Sequence, residues 1–98
     1  MSERTDKVRA LFHAHAPGLT PLAIAVFMIA AGKSPVSMKA LGKELEVPQA
    51  NVLRAVAALS AAGLVAVEEK GALRKDVRLS GKGRALAEEI KGIAETQH

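Results

Sequence analysis

The sequence predicts an α+β fold that is mainly α-helical and carries one small β-hairpin. Apolar side chains recur at helical spacing in several separate segments, and two short apolar runs flank a charged turn that contains Gly71. The chain has 98 residues, of which 49% are hydrophobic, and this is enough for one compact core. We therefore expect a single domain over residues 1–98.

Two helices are predicted in the first third of the chain. Thr5–Ala16 has apolar side chains at helical spacing and ends at Pro17. Thr20 is a favourable N-cap for Pro21–Ala31, which is apolar on every face and is therefore expected to be the central helix. This second segment is too short to cross a bilayer about 30 Å thick, and the charged start of the chain is unlike a signal peptide. We expect no membrane partner and a cytoplasmic location.

The middle of the chain predicts two short helices joined by a tight turn. Ser37 is a favourable N-cap for Met38–Leu45, and Gln49–Ala62 is the second helix. Two helices that cross closely need a small residue at the crossing, here Gly42, and an apolar residue in the turn, here Val47. The side chains expected to face the core from this pair are Met38, Leu41, Leu45, Val52, Ala55, Val56 and Leu59.

A hairpin and a last helix complete the predicted architecture. Gly63 is expected to end the preceding helix in a left-handed conformation. Leu64–Val67 and Asp76–Leu79 are the predicted strands, and Ser80 caps Gly81–Thr96. This order of elements is a winged helix–turn–helix with flanking N- and C-terminal helices. Its predicted parts are the helix–turn–helix at about residues 37–62, the wing at about 64–79, and terminal helices at about 5–16 and 81–96.

Several motifs resemble those of MarR-type winged-helix regulators. Leu45–Val65, LEVPQANVLRAVAALSAAGLV, is similar to their turn, recognition helix and first wing strand. Leu79–Leu86, LSGKGRAL, is similar to the LTxxGxxL entry into their last helix, and Thr20-Pro21 before an apolar helix is also similar. Pro48 before the second helix resembles IclR-type DNA-binding domains as well. The resemblance covers residues 19–90 and implies a transcriptional regulator that binds double-stranded DNA.

The positive charge of the chain is concentrated in its middle. The net charge is +4, and residues 33–84 carry ten basic against five acidic residues, which leaves +5 there. Residues 1–32 contribute +1 and residues 85–98 contribute −2. A basic centre between nearly neutral or acidic ends is typical of a phosphate-binding surface. The alternative is a soluble surface that happens to be rich in lysine.

The candidate DNA contacts lie on the two central helices and the hairpin. Gln49 and Asn51 have amides that can pair with adenine, Arg54 can hold guanine or a phosphate, and Leu53 can touch a thymine methyl group. Each could instead be an ordinary solvated or core residue. The full predicted set is Lys39, Lys43, Gln49, Ala50, Asn51, Leu53, Arg54, Lys70, Arg74, Lys75 and Arg78.

The terminal helices predict a homodimer. Their apolar side chains would be exposed if the chain were alone, and a second copy would cover them. The residues expected at this interface are Val8, Leu11, Phe12, Leu86, Ile90 and Ile93.

Other functions are disfavoured by composition. The chain has no cysteine, and Phe12 and Phe27 are its only aromatic residues, so a stacking surface for single-stranded nucleic acid is not expected. We find no glycine-rich phosphate loop and no metal-ligand spacing, and the acidic pairs lack a neighbouring histidine or cysteine. We therefore expect no enzyme activity, no cofactor and no metal. The alternative function is a winged-helix protein–protein adaptor, because the second central helix is rich in alanine and carries one charge.

Overall fold

The computed structural model describes residues 7, 10–14, 18–71 and 74–96, with helices surrounding a small antiparallel sheet. The predicted fold class, a mainly helical winged helix–turn–helix, is confirmed. The first helix, α1, is described at residues 10–14. The other elements, in chain order, are α2 Pro21–Lys33, β1 Val36–Ser37, α3 Met38–Leu45, α4 Gln49–Ala61, β2 Val65–Glu69, β3 Lys75–Leu79 and α5 Gly81–Thr96.

The turn between α3 and α4 brings the two helices into close contact. Glu46 adopts a left-handed conformation with φ 57°, and the Val47 N–H donates to the Gly42 carbonyl over 3.1 Å. A Cβ atom on Gly42 would overlap the amide end of the Gln49 side chain and lie 3.4 Å from the Val47 carbonyl oxygen, so glycine leaves room for the Gln49 side chain at this crossing. Val47 packs against the core from the turn. The predicted roles of Gly42 and Val47 are thus confirmed.

The C-terminus of α4 is closed by a Schellman motif. Gly63 has φ +77°, its N–H donates to the Ser60 carbonyl, and the Leu64 N–H donates to the Leu59 carbonyl over 3.0 Å. These bonds satisfy carbonyl groups that the end of a helix leaves unpaired. The backbone therefore turns sharply from α4 into the wing, as the position of Gly63 in the sequence predicted.

The sheet contains a strand that the sequence pattern did not reveal. β1 pairs with β3, with Val36 opposite Val77 and Ser37 opposite Asp76, and β2 pairs with the other edge of β3. A two-residue strand is too short to show an alternating pattern. Its partner lies about 40 residues further along the chain, so no local signal marks it.

The core is formed around α2 and includes side chains from both terminal helices. The rings of Phe12 and Phe27 meet edge to face, with centroids 5.3 Å apart. Phe12 is 2% exposed, Leu86 0% and Ile90 7%. The expectation that these three side chains would be exposed in an isolated chain is therefore wrong, because α1 and α5 use them to pack within one subunit.

Two of the three other residues of the predicted dimer interface lie within the described part of the chain. Leu11 and Ile93 are partly exposed. Val8 lies outside the described residues.

The start of α5 is joined to the end of α4. The Ser80 hydroxyl accepts from the Gly83 N–H at 3.0 Å, as the predicted N-cap, and donates to the Gly63 carbonyl at 2.5 Å. The Lys82 ammonium group donates to the Ala62 carbonyl over 3.0 Å. Gly83 lies against the Leu64 carbonyl oxygen, where a Cβ atom would overlap it. α4 and α5 therefore share one hydrogen-bonded junction.

Candidate nucleic-acid interface

A groove between α3, α4 and the wing brings together residues from three parts of the chain. Its volume is about 460 Å³. Ser37, at the N-cap of α3, forms one wall, Leu53 on α4 forms another, and Lys75 at the start of β3 forms a third. The complete lining is Ser37, Met38, Lys39, Gln49, Leu53, Arg74 and Lys75. Five of these seven were predicted as DNA contacts: Lys39, Gln49, Leu53, Arg74 and Lys75.

Ser37 and Met38 were missed because the sequence indicates different roles for them. Ser37 is the N-cap of α3, with its hydroxyl accepting from the Ala40 N–H at 3.0 Å. Met38 is almost buried and belongs to the core. Pairing of β1 with β3 brings this N-terminus against the wing. The available sequence signal for this part of the site was a serine directly before a helix, at the edge of the basic region. The same pattern also indicates an N-cap.

Gln49 is bound to the protein itself. Its amide nitrogen donates to the Met38 carbonyl over 3.2 Å, and its side chain crosses Gly42. This hydrogen bond ties the first residue of α4 to the first turn of α3. One N–H of the Gln49 amide is thus used by the backbone, but the side chain is exposed and the amide also has a second N–H and an acceptor oxygen, so this bond does not by itself prevent pairing with a base.

The outward face of α4 consists mainly of small side chains. Ala50, Leu53, Arg54 and Ala57 are exposed and follow the i, i+3, i+4, i+7 spacing of one helix face. Leu53 is 47% exposed. Asn51 is partly buried, away from this stripe. Arg54 is therefore the charged side chain of the face, and Leu53 is its large apolar one.

The cations of the hairpin are largely paired with its own acids. Arg74 Nε donates to Asp76 Oδ1 over 3.1 Å, and Asp76 is 5% exposed. Glu68 Oε1 lies 3.8 Å from Lys70 Nζ, and Glu68 Oε2 lies 3.6 Å from Arg78 Nη2. The two pairs of Glu68 are partly exposed and contribute little to stability, so phosphates can compete with Glu68 for Lys70 and Arg78, whereas the carboxylate of Asp76 is buried.

Four other predicted cations are exposed and have no ion pair within the described residues: Lys39, Lys43, Arg54 and Lys75. Lys39 and Lys43 are spaced i, i+4 and lie on the same side of α3. Lys39 and Lys75 line the groove from two different elements, whereas Lys43 and Arg54 lie outside its lining. The remaining predicted contacts, Ala50, Asn51, Lys70 and Arg78, also lie outside the groove. Exposed positive charge is thus contributed by α3, α4 and the wing.

The part of the chain that the structure describes shows neither a membrane-spanning helix nor a metal-binding cluster. None of its helices combines the length and the hydropathy that a membrane span requires. Among the same residues, no three histidine, cysteine, aspartate or glutamate side chains group as metal ligands would.

Comparison with known proteins identifies a family model and several similar folds. The model described as MarR family matches residues 17–74. BpsR of Bordetella bronchiseptica, whose DNA binding is regulated by 6-hydroxynicotinic acid, is 27% identical, with a TM-score of 0.65 over 95% of this chain and 69% of its own. No curated protein sequence matches the chain.

Two further solved structures share the fold at lower identity. NadR, solved in complex with 4-hydroxyphenylacetate, is 17% identical, with a TM-score of 0.74 over 95% of this chain and 66% of its own. A transcriptional regulator of Thermotoga maritima is 19% identical, with a TM-score of 0.76 over 95% of this chain and 65% of its own. The present chain thus spans about two thirds of the length of these regulators.

Proposed function

Because the chain belongs to the MarR family, we propose that it is a transcriptional regulator that binds double-stranded DNA in a sequence-specific manner. In this proposal α4 enters the major groove and the hairpin β2–β3 lies along the flanking backbone. The protein acts by binding, without catalysis, and works in the cytoplasm.

The groove between α3, α4 and the wing is the observation that carries this proposal. It joins an exposed helix face to cations from two other elements, Lys39 on α3 and the pair Arg74 and Lys75 on the wing. Phosphate contacts from separate elements set the position of a protein on a duplex, and an exposed helix between them can reach base edges. The first turn of α4 follows Pro48 and has no side-chain cap, so its N–H groups add positive potential there.

Salt dependence of duplex binding tests the proposal. If the four cations without ion pairs each neutralise one phosphate, log affinity should fall against log salt with a slope of about −3.6 per chain. Fluorescence anisotropy with a mixed-sequence duplex measures this slope. Lys39→Ala and Lys75→Ala should each reduce it by about 0.9, whereas Lys91→Ala, on the last helix, should leave it unchanged. A slope near zero would contradict DNA binding.

A protein–protein adaptor is the second candidate, and the small side chains of α4 favour it. A helix surface built from Ala50, Ala57 and their neighbours can pack closely against a partner helix. The same titration separates the two functions. An adaptor would show no duplex binding at moderate salt. Its affinity for a protein partner would have the same salt dependence in Lys39→Ala as in the wild type.

The proposed active form is a homodimer. Leu11 on α1 and Ile93 on α5 are partly exposed apolar residues of the terminal helices, and they are the part of the predicted interface that the fold leaves partly accessible. A two-fold dimer would place two copies of α4 on one side of a duplex, one helical turn apart.

A further inference from the structure

Leu53 is a feature of the groove that phosphate binding does not explain. Its side chain is 47% exposed, yet it stands among the cations Lys39 and Lys75. An apolar side chain gains free energy when another apolar surface covers it, and charged phosphates do not supply such a surface. A partner that presents an apolar group to Leu53 as well as negative charge to the cations would therefore complement this groove best.

Few of the other outward side chains of α4 can distinguish bases by hydrogen bonds. The Gln49 amide donates to the Met38 carbonyl, and Asn51 is partly buried. Ala50 and Ala57 end in a methyl group. Apolar contact by Leu53 is therefore one means by which this part of the helix can recognise a base, beside hydrogen bonds from Arg54 and from the Gln49 amide groups that Met38 does not use.

We propose that Leu53 is a specificity-determining residue that recognises the C5 methyl group of thymine in the major groove. This inference rests on the proposed function. The thymine methyl is the apolar group that a base pair presents in the major groove, and apolar side chains read it by direct contact. Duplex DNA also supplies the phosphates for Lys39 and Lys75. Preferred binding sites therefore carry thymine at the base pair that faces Leu53.

Deoxyuridine substitution tests this recognition directly. A duplex is first selected from a random-sequence library by the wild-type chain, and each thymine in it is then replaced singly by deoxyuridine, which lacks only the methyl group. We expect about four-fold weaker binding at one or two positions, the equivalent of exposing one buried methyl group. Leu53→Ala should weaken binding to the unmodified duplex and show no further loss at those positions, as a double-mutant cycle requires.

Met28→Ala is the matched control. Met28 is also an exposed large apolar side chain, 42% exposed, but it lies on α2 and outside the groove lining. This variant should bind the selected duplex like the wild type and retain the same sensitivity to deoxyuridine. Circular dichroism during heating confirms that Leu53→Ala folds, which is expected because alanine is the stronger helix former.

The outcomes separate this inference from the proposed function. If the deoxyuridine effect persists in Leu53→Ala, or if no substitution weakens the wild type, methyl recognition by Leu53 is overturned while salt-dependent duplex binding stands. If the wild-type chain selects no duplex and shows no salt dependence, the proposed function fails and the inference fails with it. A protein partner would then be the occupant of the groove.

Discussion

At the scale of single residues, two glycines lie where neighbouring elements of the fold come into close contact. A Cβ atom on Gly42 would meet the flexible amide end of Gln49, which can rotate away. A Cβ atom on Gly83 would meet the Leu64 backbone carbonyl, which is held by the hydrogen bond from the Ser80 N–H. Gly83 is therefore the more restrictive of the two positions.

Gly83→Ala is expected to reduce the free energy of unfolding by about 1–3 kcal/mol, because the added methyl group forces the backbone apart. Gly92→Ala in the same helix is the matched control, since a Cβ atom there meets open space. It should raise stability by about 0.5–1 kcal/mol through helix propensity. Urea unfolding of both variants measures the difference, and equal stabilities would contradict the close packing of Gly83.

Arg54→Ala is expected to weaken binding to a selected duplex by about 1–3 kcal/mol, because Arg54 is the charged side chain on the outward face of α4. Arg84→Ala, a similarly exposed arginine on α5, serves as the control and should leave the affinity nearly unchanged. Anisotropy titrations at one fixed salt concentration compare the two. Unaltered affinity in Arg54→Ala would remove this residue from the interface.

At the scale of elements, Ser80 links the end of α4 to the start of α5 through one hydroxyl group. It caps α5 by accepting from Gly83 and also binds the Gly63 carbonyl beyond the end of α4. Thr20 and Ser37 cap α2 and α3 by accepting from one N–H each. The junction at Ser80 therefore couples the recognition helix to α5 as well as closing a helix end.

Ser80→Ala is expected to lower the free energy of unfolding by about 1–2 kcal/mol, at the upper end for a lost N-cap, because a second hydrogen bond is lost with it. Ser60→Ala is the control, since Ser60 is exposed on α4 and caps no helix. Its stability should change by less than about 0.5 kcal/mol. Thermal or urea unfolding provides the comparison. If Ser80→Ala and Ser60→Ala have equal free energies of unfolding, the Ser80 hydroxyl contributes nothing to stability.

Element boundaries show how far the sequence pattern reached. α3 and α5 were predicted with the bounds that the structure has, because caps and apolar spacing are local properties. α2 extends to Lys33, two residues beyond the predicted end, and the hairpin strands are shifted by one or two residues. β1 was missed because its pairing with β3 depends on a contact across the chain rather than on its own composition.

At the scale of the whole molecule, the terminal helices are predicted to serve both folding and association. Their inner side chains, Phe12 and Leu86 among them, complete the core of the chain. The partly exposed Leu11 and Ile93 lie on the same two helices. Folding and association are therefore predicted to depend on different residues, although both lie in the same elements.

Substitutions on α1 should separate folding from association. Phe12→Ala is expected to cost about 3–5 kcal/mol of stability, because it removes a buried ring that packs on Phe27. Leu11→Glu should shift a dimer towards monomers at a smaller cost in stability than Phe12→Ala, because Leu11 is partly exposed although it also packs against the core. Sedimentation equilibrium gives the oligomeric state and circular dichroism gives the folded fraction. A folded Leu11→Glu variant that remains fully dimeric would exclude this surface as the interface.

The candidate site was predictable in its types of residue and less so in their surroundings. Lys39, Leu53, Arg74 and Lys75 were identified from charge and helix phase, and the structure places them around one groove. The hydrogen bond of Gln49 to Met38 was not predictable, because it depends on the angle at which α4 crosses α3. Pairing of the wing cations with Glu68 and Asp76 likewise depends on strand register.

Local sequence is sufficient for the helices, their caps, the hairpin and the basic centre, because each depends on neighbouring residues and on spacing along the chain. The remaining features depend on packing between segments that are distant in the sequence. It buries Phe12, Leu86 and Ile90 within one subunit, adds β1 to the sheet and turns Gln49 towards the protein. The positive charge counted in the sequence thereby becomes a groove around an exposed leucine, because three separate elements fold against one another there.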